Sequence, residues 1–210
     1  MPTYIYHFTH MSNLASIVES EALYCDRICQ STDLNPRNIA YSNLKERRRA
    51  TQVEIAPGGT LCDYVPFYFG TRSPMLYTYS QGNVTGRREN QDEIIYLVSS
   101  AETITSLGLP FVFTDGHPVK EPRAFFDDLS QLQEVDLPLM QRKYWYDTDA
   151  DPDRMRRRQA EFLVHHKFPW IAVLAVGVRT SEIRAWAVDI IQHSHHQPPC
   201  VVRPMWYYSD

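Results

Sequence analysis

Residues 153–164 read DRMRRRQAEFLV and join a block of positive charge, a single carboxylate and an apolar run. Arginine occupies positions 154, 156, 157 and 158, and Glu161 stands directly before the apolar residues 162–164. The apolar run is typical of a buried strand, and the rigid end of such a strand would hold Glu161 in a narrow position. Two interpretations of Glu161 are open: the edge residue of a core strand after a solvated helix, or a catalytic acid whose electrostatics are set by its neighbours.

Strand and helix patterns recur on both sides of this stretch. Apolar runs predict strands at 4–8, 65–70, 93–100, 110–116, 161–168, 170–178 and 200–208. Helical spacing predicts a helix capped by Thr9 or Ser12, one from Ser99 or Ser100 through Leu107, one at 123–132 and one over 181–192. Residues 26–46 predict a loop with a short helix leading into KERRR, and 81–90 a turn. Because strands and helices do not alternate regularly, the sequence predicts an α+β fold with a mixed sheet.

The composition bounds the class of protein. The chain has 210 residues, 43% of them hydrophobic and 12% aromatic, which excludes a disordered chain and favours one domain over 1–210. The longest apolar stretch, at 170–178, is too short to cross a membrane, and the start MPTYIYHFTH lacks the blocks of a signal peptide. The cysteines at 25, 29, 62 and 200 show no disulfide spacing. We therefore expect a cytoplasmic protein with reduced thiols and no membrane partner.

The net charge of −4 argues against a nucleic-acid partner, but the distribution of charge points the other way. Residues 47–49 and the four arginines of 154–158 supply seven of the 21 basic residues, which leaves 14 basic against 25 acidic residues elsewhere. Two concentrated basic clusters on an otherwise acidic protein could form a surface that attracts phosphate groups. The alternative is that these arginines are ordinary solvated residues on helix faces.

Common metal and nucleotide motifs are absent from the sequence. A polar turn explains HSHHQPPC at 193–200, and Cys25 and Cys29 lack the C-x-x-C spacing usual in zinc sites, so we expect no metal. Neither G-x-G-x-x-G nor a P-loop occurs. No G-x-S-x-G elbow is present, although Cys/His or Ser/His catalysis stays open.

Four short stretches remain: YHFTH at 6–10, KERRR at 45–49, FYFGTRSPMLY at 67–77 and RRRQAEFLV at 156–164. Taken singly, each has a structural explanation, because aromatics are usually core and a histidine after a strand is usually hydrogen-bonded. Together with AYSNL before KERRR and MWYY at the end, and in this order, they resemble the DarT-type DNA ADP-ribosyltransferases. Those enzymes are the toxin half of a bacterial toxin–antitoxin pair whose antitoxin, DarG, carries a macrodomain. The resemblance implies the ADP-ribosyltransferase fold, a split mixed sheet with flanking helices that holds NAD in a cleft, and no metal.

The resemblance also implies roles for individual residues. Glu161 matches the catalytic glutamate, since a carboxylate beside the ribose can stabilise the charge that develops as the bond to nicotinamide breaks. Arg48 matches a working residue over the NAD; it stays protonated, so we expect it to stabilise the acceptor anion or to clamp the NAD phosphates. The residues implied to hold NAD are His7, Phe8, Thr9, Ser16, Tyr24, Arg48, Ser73 and Tyr77, with Ser16 and Tyr24 on the adenosine side and Ser73 and Tyr77 at the nicotinamide.

The span 114–160 corresponds to the family's loop for the acceptor, a base in single-stranded DNA and commonly N3 of thymidine. Positive charge and stacking aromatics bind single strands. The expected DNA contacts are therefore Arg47, Arg49, Tyr144, Trp145, Tyr146, Arg154, Arg156 and Arg157. The alternative is that the three aromatics pack the loop onto the domain.

The prediction is an NAD-dependent mono-ADP-ribosyltransferase that modifies thymidine in single-stranded DNA in a sequence-dependent way. It is expected to be toxic unless a DarG-like macrodomain antitoxin reverses or blocks it. Three alternatives are open: the same chemistry on guanosine, RNA or a protein side chain; a non-catalytic module that binds nucleic acid or NAD; and a metal-dependent hydrolase.

Overall fold

The computed structural model describes residues 2–32, 34, 36–37, 39, 42–82 and 90–208, with the backbone alone at 42 and 43. Ala40 and Tyr41 of the AYSNL stretch, and residues 83–89 of the turn predicted at 81–90, lie outside the described residues. Within these ranges the chain forms an α+β fold, as the strand pattern predicts.

Ten strands lie within the described ranges: β1 Tyr4–His10, β2 Ala22–Tyr24, β3 Tyr64–Tyr68, β4 Ile94–Ser100, β5 Phe111–Thr114, β6 Phe125–Phe126, β7 Glu161–His165, β8 Lys167–Pro169, β9 Ala175–Val178 and β10 Cys200–Val202. Eight of them form one sheet in the order β10-β9-β4-β1-β3-β7-β5-β6, and β2 pairs with β8 in a second sheet. Neighbouring strands are antiparallel except for β9 and β10, so the large sheet is mixed.

The large sheet is split between β1 and β3, as the family resemblance implies. These two strands share one register pair, Tyr6 with Tyr68, whereas β1 pairs with β4 at seven positions and β3 with β7 at five. Pro66 in the middle of β3 has no N–H to donate, and its carbonyl accepts a hydrogen bond from the ring of His7. Side chains of both strands are therefore left to line a cleft.

Eight α-helices lie in the described ranges: α1 Leu14–Glu19, α2 Asp26–Ser31, α3 Ser42–Ala50, α4 Pro74–Ser80, α5 Ala101–Ser106, α6 Leu137–Met140, α7 Arg154–Arg157 and α8 Ser181–Ile191. Ser100 caps α5 by accepting the N–H of Thr103 at 3.1 Å, which confirms one predicted helix start. The predicted cap at Thr9 or Ser12 is wrong, because a 3-10 turn at Met11–Asn13 precedes α1.

Two predicted strands are broken in the structure. The run 161–168 forms β7 and β8, which are separated at His166 by a left-handed backbone with φ of 61°. The run 170–178 begins as a 3-10 turn at Trp170–Ala172, and only its second half is strand. Continuous apolar character indicates burial in both cases but cannot show where the backbone changes direction.

Three further predictions need correction. The helix predicted at 123–132 is wrong, because this segment forms the edge strand β6 and a 3-10 helix at Leu129–Glu134. The strand predicted at 200–208 ends at Val202, since Pro204 opens a 3-10 turn. The predicted loop at 26–46 contains α2 as well as the start of α3, and the three-residue strand β2 was too short to predict.

The large sheet is buried on both faces. Alternate residues of β4 join different clusters: Ile95 and Leu97 pack with α1 and α8, whereas Tyr96 and Val98 pack with Leu76 of α4 and the C-terminal segment. Burial on both faces explains why β4 reads as a continuous apolar run. Across the described part of the chain, no helix combines the length and the apolar character that crossing a membrane requires.

Candidate active site

A cleft opens where β1 and β3 diverge, and we call it the β1–β3 cleft. Residues 7–9 of β1, residues 64–66 and Tyr68 of β3, and residues of α3 line it. Glu161, the first residue of β7, also lies in its wall. The split in the sheet therefore brings together side chains from strands that are far apart in sequence.

Glu161 and Arg48 form a buried ion pair in this wall. Nη1 of Arg48 donates to Oε2 of Glu161 at 2.8 Å, and Arg48 is only 8% and Glu161 only 5% exposed. Burial by itself lowers the pKa of the Arg48 guanidinium, but the charge of Glu161 and the hydrogen bond to it outweigh burial and raise that pKa. Because desolvating two charges offsets most of their attraction, stability alone does not explain a buried pair at a cleft.

The backbone of Glu161 is fixed by the strand next to it. Its N–H donates to Oγ1 of Thr114 at 3.1 Å, and that hydroxyl donates to the carbonyl of Gly116 at 2.7 Å. Thr114 is completely buried. The end of β7 is thus tied to the first residues of the 114–160 segment, so the carboxylate and that segment hold each other in place.

The arginines that precede Glu161 in sequence do not face it as free charges. Arg156 pairs with Asp115 and Asp153, and Arg157 pairs with Asp151 and Asp136. Arg154 donates to the backbone carbonyl of Tyr144. Arg158, 1% exposed, donates to the carbonyls of Thr71 and Arg72, and burial lowers its pKa. The block therefore holds the 114–160 segment to itself and to the turn before α4.

The residues expected to hold NAD on β1 all line the cleft. Nδ1 of His7 donates to the carbonyl of Pro66 at 2.8 Å, which leaves Nε2 as an acceptor. Burial lowers the pKa of His7 to about 4, so the ring is neutral near pH 7. Thr9 accepts from the amide of Asn13 at 2.9 Å, and Phe8 stacks on Tyr68 with ring centroids 5.8 Å apart. These contacts leave a neutral, pre-positioned wall of polar and aromatic groups.

Ser16 and Tyr24 lie farther along the same depression. Both line a neighbouring part that shares Thr9, Asn13 and Arg37 with the cleft, and Tyr24 lines both parts. Asn13 holds the backbone of Arg37 from both sides: its Nδ2 donates to the carbonyl at 3.1 Å, and its Oδ1 accepts the N–H at 2.8 Å. The cleft is therefore continuous with the site expected for the adenosine end.

Ser73 and Tyr77 are not among the residues that line the cleft. Ser73 is buried at the N-terminus of α4, where its hydroxyl accepts the N–H of Leu76 at 3.2 Å. Tyr77 packs edge-on against Trp145 and Tyr208. The same helix instead presents Met75 to the cleft. The two predicted residues thus position α4, and another side chain of α4 reaches the site.

A second cavity adjoins the β1–β3 cleft at Glu161, and we call it the α3–α4 cavity. Its lining residues are Leu44 and Arg47 of α3, Pro74, Met75 and Thr78 of α4, Tyr68, His117, Gln159 and Glu161. Leu44, Tyr68, Met75 and Glu161 line both this cavity and the β1–β3 cleft. Glu161 therefore stands where the two cavities meet.

The aromatic residues of the 114–160 segment differ in exposure. Trp145 is 6% exposed and donates its indole N–H to the hydroxyl of Tyr208 at 3.0 Å. Tyr144 and Tyr146 are 64% and 52% exposed. Trp145 therefore packs the 114–160 segment onto the domain, as one of the two interpretations predicts. The rings of Tyr144 and Tyr146 are exposed, as stacking on bases would require. Arg49 is exposed on α3 and does not line the cavity that Arg47 lines.

The protein-family model described as "DarT: ssDNA thymidine ADP-ribosyltransferase, DarT" matches residues 6–208 of this chain. The chain belongs to the DarT family. It is 40% identical over 210 residues to a DNA ADP-ribosyl transferase of Thermus sp. (strain 2.9), covering 99% of this chain and 97% of that protein. It is 29% identical to a DNA ADP-ribosyl transferase of Escherichia coli O127:H6, covering 98% of this chain and 93% of that protein.

Solved DarT structures have the same fold. The Thermus sp. 2.9 DarT in complex with ADP-ribosylated ssDNA superposes with a TM-score of 0.90 at 38% identity, over 99% of this chain and 97% of that chain. The same enzyme in complex with NAD+ gives a TM-score of 0.86 at 36% identity, over 99% and 98%. The predicted ADP-ribosyltransferase fold is confirmed. Among the described residues, no cluster of His, Cys, Asp and Glu is suited to a metal ion.

The lining residues of the two cavities that sequence reasoning missed include Asn13, Arg37, Met75, Thr78, His117 and Gln159. Met75 and Thr78 are three residues apart on α4, a spacing that places both on one helix face, so this pair could have been found. His117 and Gln159 lie in the weakly patterned 114–160 segment, at its opposite ends. Their proximity depends on the pairing of β5 with β7, which no local pattern shows.

Proposed function

We propose that this protein transfers ADP-ribose from NAD to N3 of thymidine in single-stranded DNA, in a sequence-dependent way, with release of nicotinamide and a proton. Membership of the DarT family supports the reaction class. The Thermus relative, whose solved complexes contain NAD+ and ADP-ribosylated ssDNA, supports the two substrates. The observation that carries the proposal is the position of Glu161, which lines both the β1–β3 cleft and the α3–α4 cavity.

The β1–β3 cleft suits NAD. NAD supplies a ribose carbon whose bond to nicotinamide breaks with positive charge developing on the sugar. Nε2 of His7 and the hydroxyl of Tyr24 offer hydrogen-bonding groups along the cleft. The guanidinium of Arg37 is half-exposed and lies 3.8 Å from the carboxylate of Glu93, a loose pair that leaves positive charge for phosphate groups. The side chain of Asn13 fixes Arg37 before any ligand binds, so little ordering is needed on binding.

Glu161 stabilises the developing charge and orients the ribose hydroxyls. Arg48 donates to Oε2, which leaves Oε1 available to accept from those hydroxyls. Arg48 holds the carboxylate in one rotamer, and its permanent charge favours an acceptor base that has lost its proton. Because a guanidinium does not act as a base in proteins, the proton from the acceptor nitrogen leaves by another group or by water.

The α3–α4 cavity is the proposed place of the acceptor base, and residues 114–160 are the proposed acceptor-recognition loop of a single domain. Arg47 lines this cavity, and Arg49, Tyr144 and Tyr146 are exposed. They are proposed to contact the phosphates and the neighbouring bases of the strand. Because Trp145, Arg156 and Arg157 are occupied by contacts within the chain, they support the loop in this proposal.

The proposed biological setting is that of a toxin. An adduct at N3 occupies the pairing edge of thymine, so the reaction damages the DNA of the cell that contains the enzyme. We propose that a DarG-like macrodomain antitoxin reverses or blocks this damage, and that the enzyme acts in the cytoplasm. The four cysteines are free thiols, which fits a reducing compartment.

The test is incubation with NAD and defined oligonucleotides, read by mass. A single-stranded oligonucleotide with thymidine should gain one ADP-ribose, and a matched one in which cytidine replaces thymidine should gain none. Modification of the thymine-free strand, of RNA or of a protein would replace the proposed acceptor. Binding of NAD and DNA without any transfer would replace the enzyme with a binding module.

A further inference from the structure

His117 lines the α3–α4 cavity and sits in a tight turn that leads out of β5. Its backbone N–H donates to the carbonyl of Arg156 at 3.0 Å, and Arg156 Nη1 donates to Asp115 at 2.8 Å and to the carbonyl of Pro122 at 3.0 Å. A side chain at Gly116 would overlap the guanidinium of Arg156. The turn is therefore clamped closely around Arg156, and the ring of His117 has a fixed place in the cavity wall.

The hydrogen bonds of this turn decide the tautomer of His117. The backbone N–H of Val119 donates to Nδ1 at 3.2 Å, so Nδ1 is the acceptor and the ring proton is on Nε2. Burial and the positive charges of Lys120, Arg48 and Arg47 lower the pKa of His117 to about 4, and the ring is neutral near pH 7. Among the described residues, none forms a hydrogen bond with Nε2. The cavity is thus offered one neutral N–H donor.

This arrangement excludes His117 as the base that removes the acceptor proton, because its one lone pair is already used by Val119. A fixed neutral donor has a different use. When an imide nitrogen of a base loses its proton, the negative charge spreads onto the flanking carbonyl oxygens. A donor aimed at such an oxygen is stronger in the transition state than in the ground state, as in an oxyanion hole.

We propose that His117 recognises the acceptor base by donating its Nε2–H to a ring carbonyl oxygen beside the nitrogen that is modified. The inference rests on the proposed function and names a specificity-determining residue for it. A base with an amino group at that position, such as cytosine or adenine, would set one donor against another and leave both unpaired in a buried site. Thymine and uracil carry a carbonyl on each side of N3–H and satisfy His117 in either orientation.

The other polar groups of the cavity fit the same base edge. Gln159 donates its Nε2 to the carbonyl of Met155 at 2.8 Å, which leaves its Oε1 as an acceptor. The side chain of Arg47 offers a second donor from α3. His117 and Arg47 thus give the cavity donors for the carbonyl oxygens of thymine, and Gln159 adds an acceptor to the same lining.

The experiment compares wild type with H117A, H117Q and a control, H195A, whose imidazole is exposed in the turn after α8. The substrates are one oligonucleotide with thymidine, 2-thiothymidine or 4-thiothymidine at the acceptor position, because a thiocarbonyl is a poorer hydrogen-bond acceptor. We expect H117A to lower kcat about 100-fold, as loss of one oxyanion donor does. H117Q, whose amide N–H lies near the place of Nε2, should recover activity to within about tenfold of wild type. H195A should match wild type.

The thio-substitution separates direct contact from a structural role. At the carbonyl that His117 contacts, wild type should discriminate against sulfur about tenfold more than H117A does, which corresponds to one hydrogen bond to charge. Equal discrimination by both enzymes at both positions, or an unchanged kcat in H117A, would overturn the proposal. Loss of NAD affinity in H117A would indicate that this variant is misfolded. In that case the ratio of the rates on the oxygen and the sulfur substrates, measured with H117Q, would decide.

The wild-type enzyme tests the proposed acceptor separately from the role of His117. If wild type modified guanosine strands and no thymidine strand, the proposed acceptor would fail. The same variants with 6-thioguanosine would then test His117, because guanine carries one carbonyl beside its N–H. Loss of modification in the variants alone concerns His117 and leaves the proposed function standing.

Discussion

The two arginine clusters look alike in sequence but have different partners in the structure. The cluster at 154–158 directly precedes Glu161, yet its members pair with Asp115, the aspartates at 136–153 and backbone carbonyls. In the cluster at 47–49, 113 positions before Glu161, Arg48 reaches Glu161 and Arg47 lines the neighbouring cavity. Among the described residues neither Arg47 nor Arg49 makes an ion pair. The arginines close to Glu161 in sequence therefore stabilise the 114–160 segment. The arginines that reach Glu161 and the α3–α4 cavity come from a distant part of the sequence.

The largest expected effect comes from removing the carboxylate that the distant cluster serves. E161Q keeps the size of the side chain and an acceptor for Arg48 but loses the negative charge opposite the ribose. We expect the rate of thymidine modification to fall about 1,000-fold or more, in line with loss of a principal electrostatic group. Nicotinamide release and the mass of the oligonucleotide measure the rate, and the affinity for NAD reports the fold. A fall of less than tenfold would contradict the role of Glu161.

Replacing each of the two buried arginines, Arg48 and Arg158, by alanine tests the difference between the clusters directly. R48A should lower kcat about 100- to 1,000-fold, because the anion-stabilising charge is lost and Glu161 is left buried without its partner. R158A should instead lower the free energy of unfolding by about 3 kcal/mol, since its two backbone acceptors lose a charged donor. Thermal unfolding and initial rates separate the two variants. An R158A enzyme that folds normally and is inactive would contradict the structural role of Arg158.

The aromatic neighbours in the 114–160 segment extend the contrast to uncharged side chains. Y144A should weaken binding of single-stranded DNA by about tenfold, because loss of one stacked base costs ~1–3 kcal/mol. Its melting temperature should not change, as Tyr144 is 64% exposed. W145A should lower the melting temperature, because Trp145 is packed against Tyr77 and bonded to Tyr208. Equal effects of the two variants on DNA binding would favour a joint stacking platform.

The smallest expected effect concerns salt. Each arginine contact to a phosphate of single-stranded DNA contributes about 0.7 to the slope of log affinity against log salt. The double variant R47A/R49A should therefore reduce that slope by up to about 1.4. R157A, whose guanidinium is already paired with Asp151, should leave it unchanged. A reduced slope in R157A would show that these ion pairs open on DNA and would restore the prediction that the 154–158 cluster binds the strand.

The fold and the place of Glu161 at the start of a buried strand were within reach of the sequence. The apolar run after Glu161 predicted β7, and motif order identified the family and its split sheet. The pairing of Arg48 with Glu161 was not within reach, because it depends on α3 meeting the end of β7 across 113 residues. The block at 154–158 misled the electrostatic interpretation for the same reason, since a sequence shows charges and not the aspartates that the fold brings to them.

The tautomer of His117 and its place in the cavity could not be predicted from the sequence either. Its tautomer depends on the N–H of Val119, two residues later, and its neighbours in the cavity come from α3 and from Gln159. A histidine in a weakly patterned segment gives no sign of either. Ser73 and Tyr77 show a different case: the resemblance indicated the helix beside the cleft, and the side chain of α4 that lines the cleft is Met75.

The most direct test of the account is a crystal structure of E161Q with NAD and a thymidine oligonucleotide. We predict that NAD lies in the β1–β3 cleft with its nicotinamide ribose at residue 161. The acceptor thymine should lie in the α3–α4 cavity with a carbonyl oxygen about 3 Å from Nε2 of His117. A thymine bound outside that cavity, or a nicotinamide ribose remote from residue 161, would contradict the claim that Glu161 stands between the two substrates.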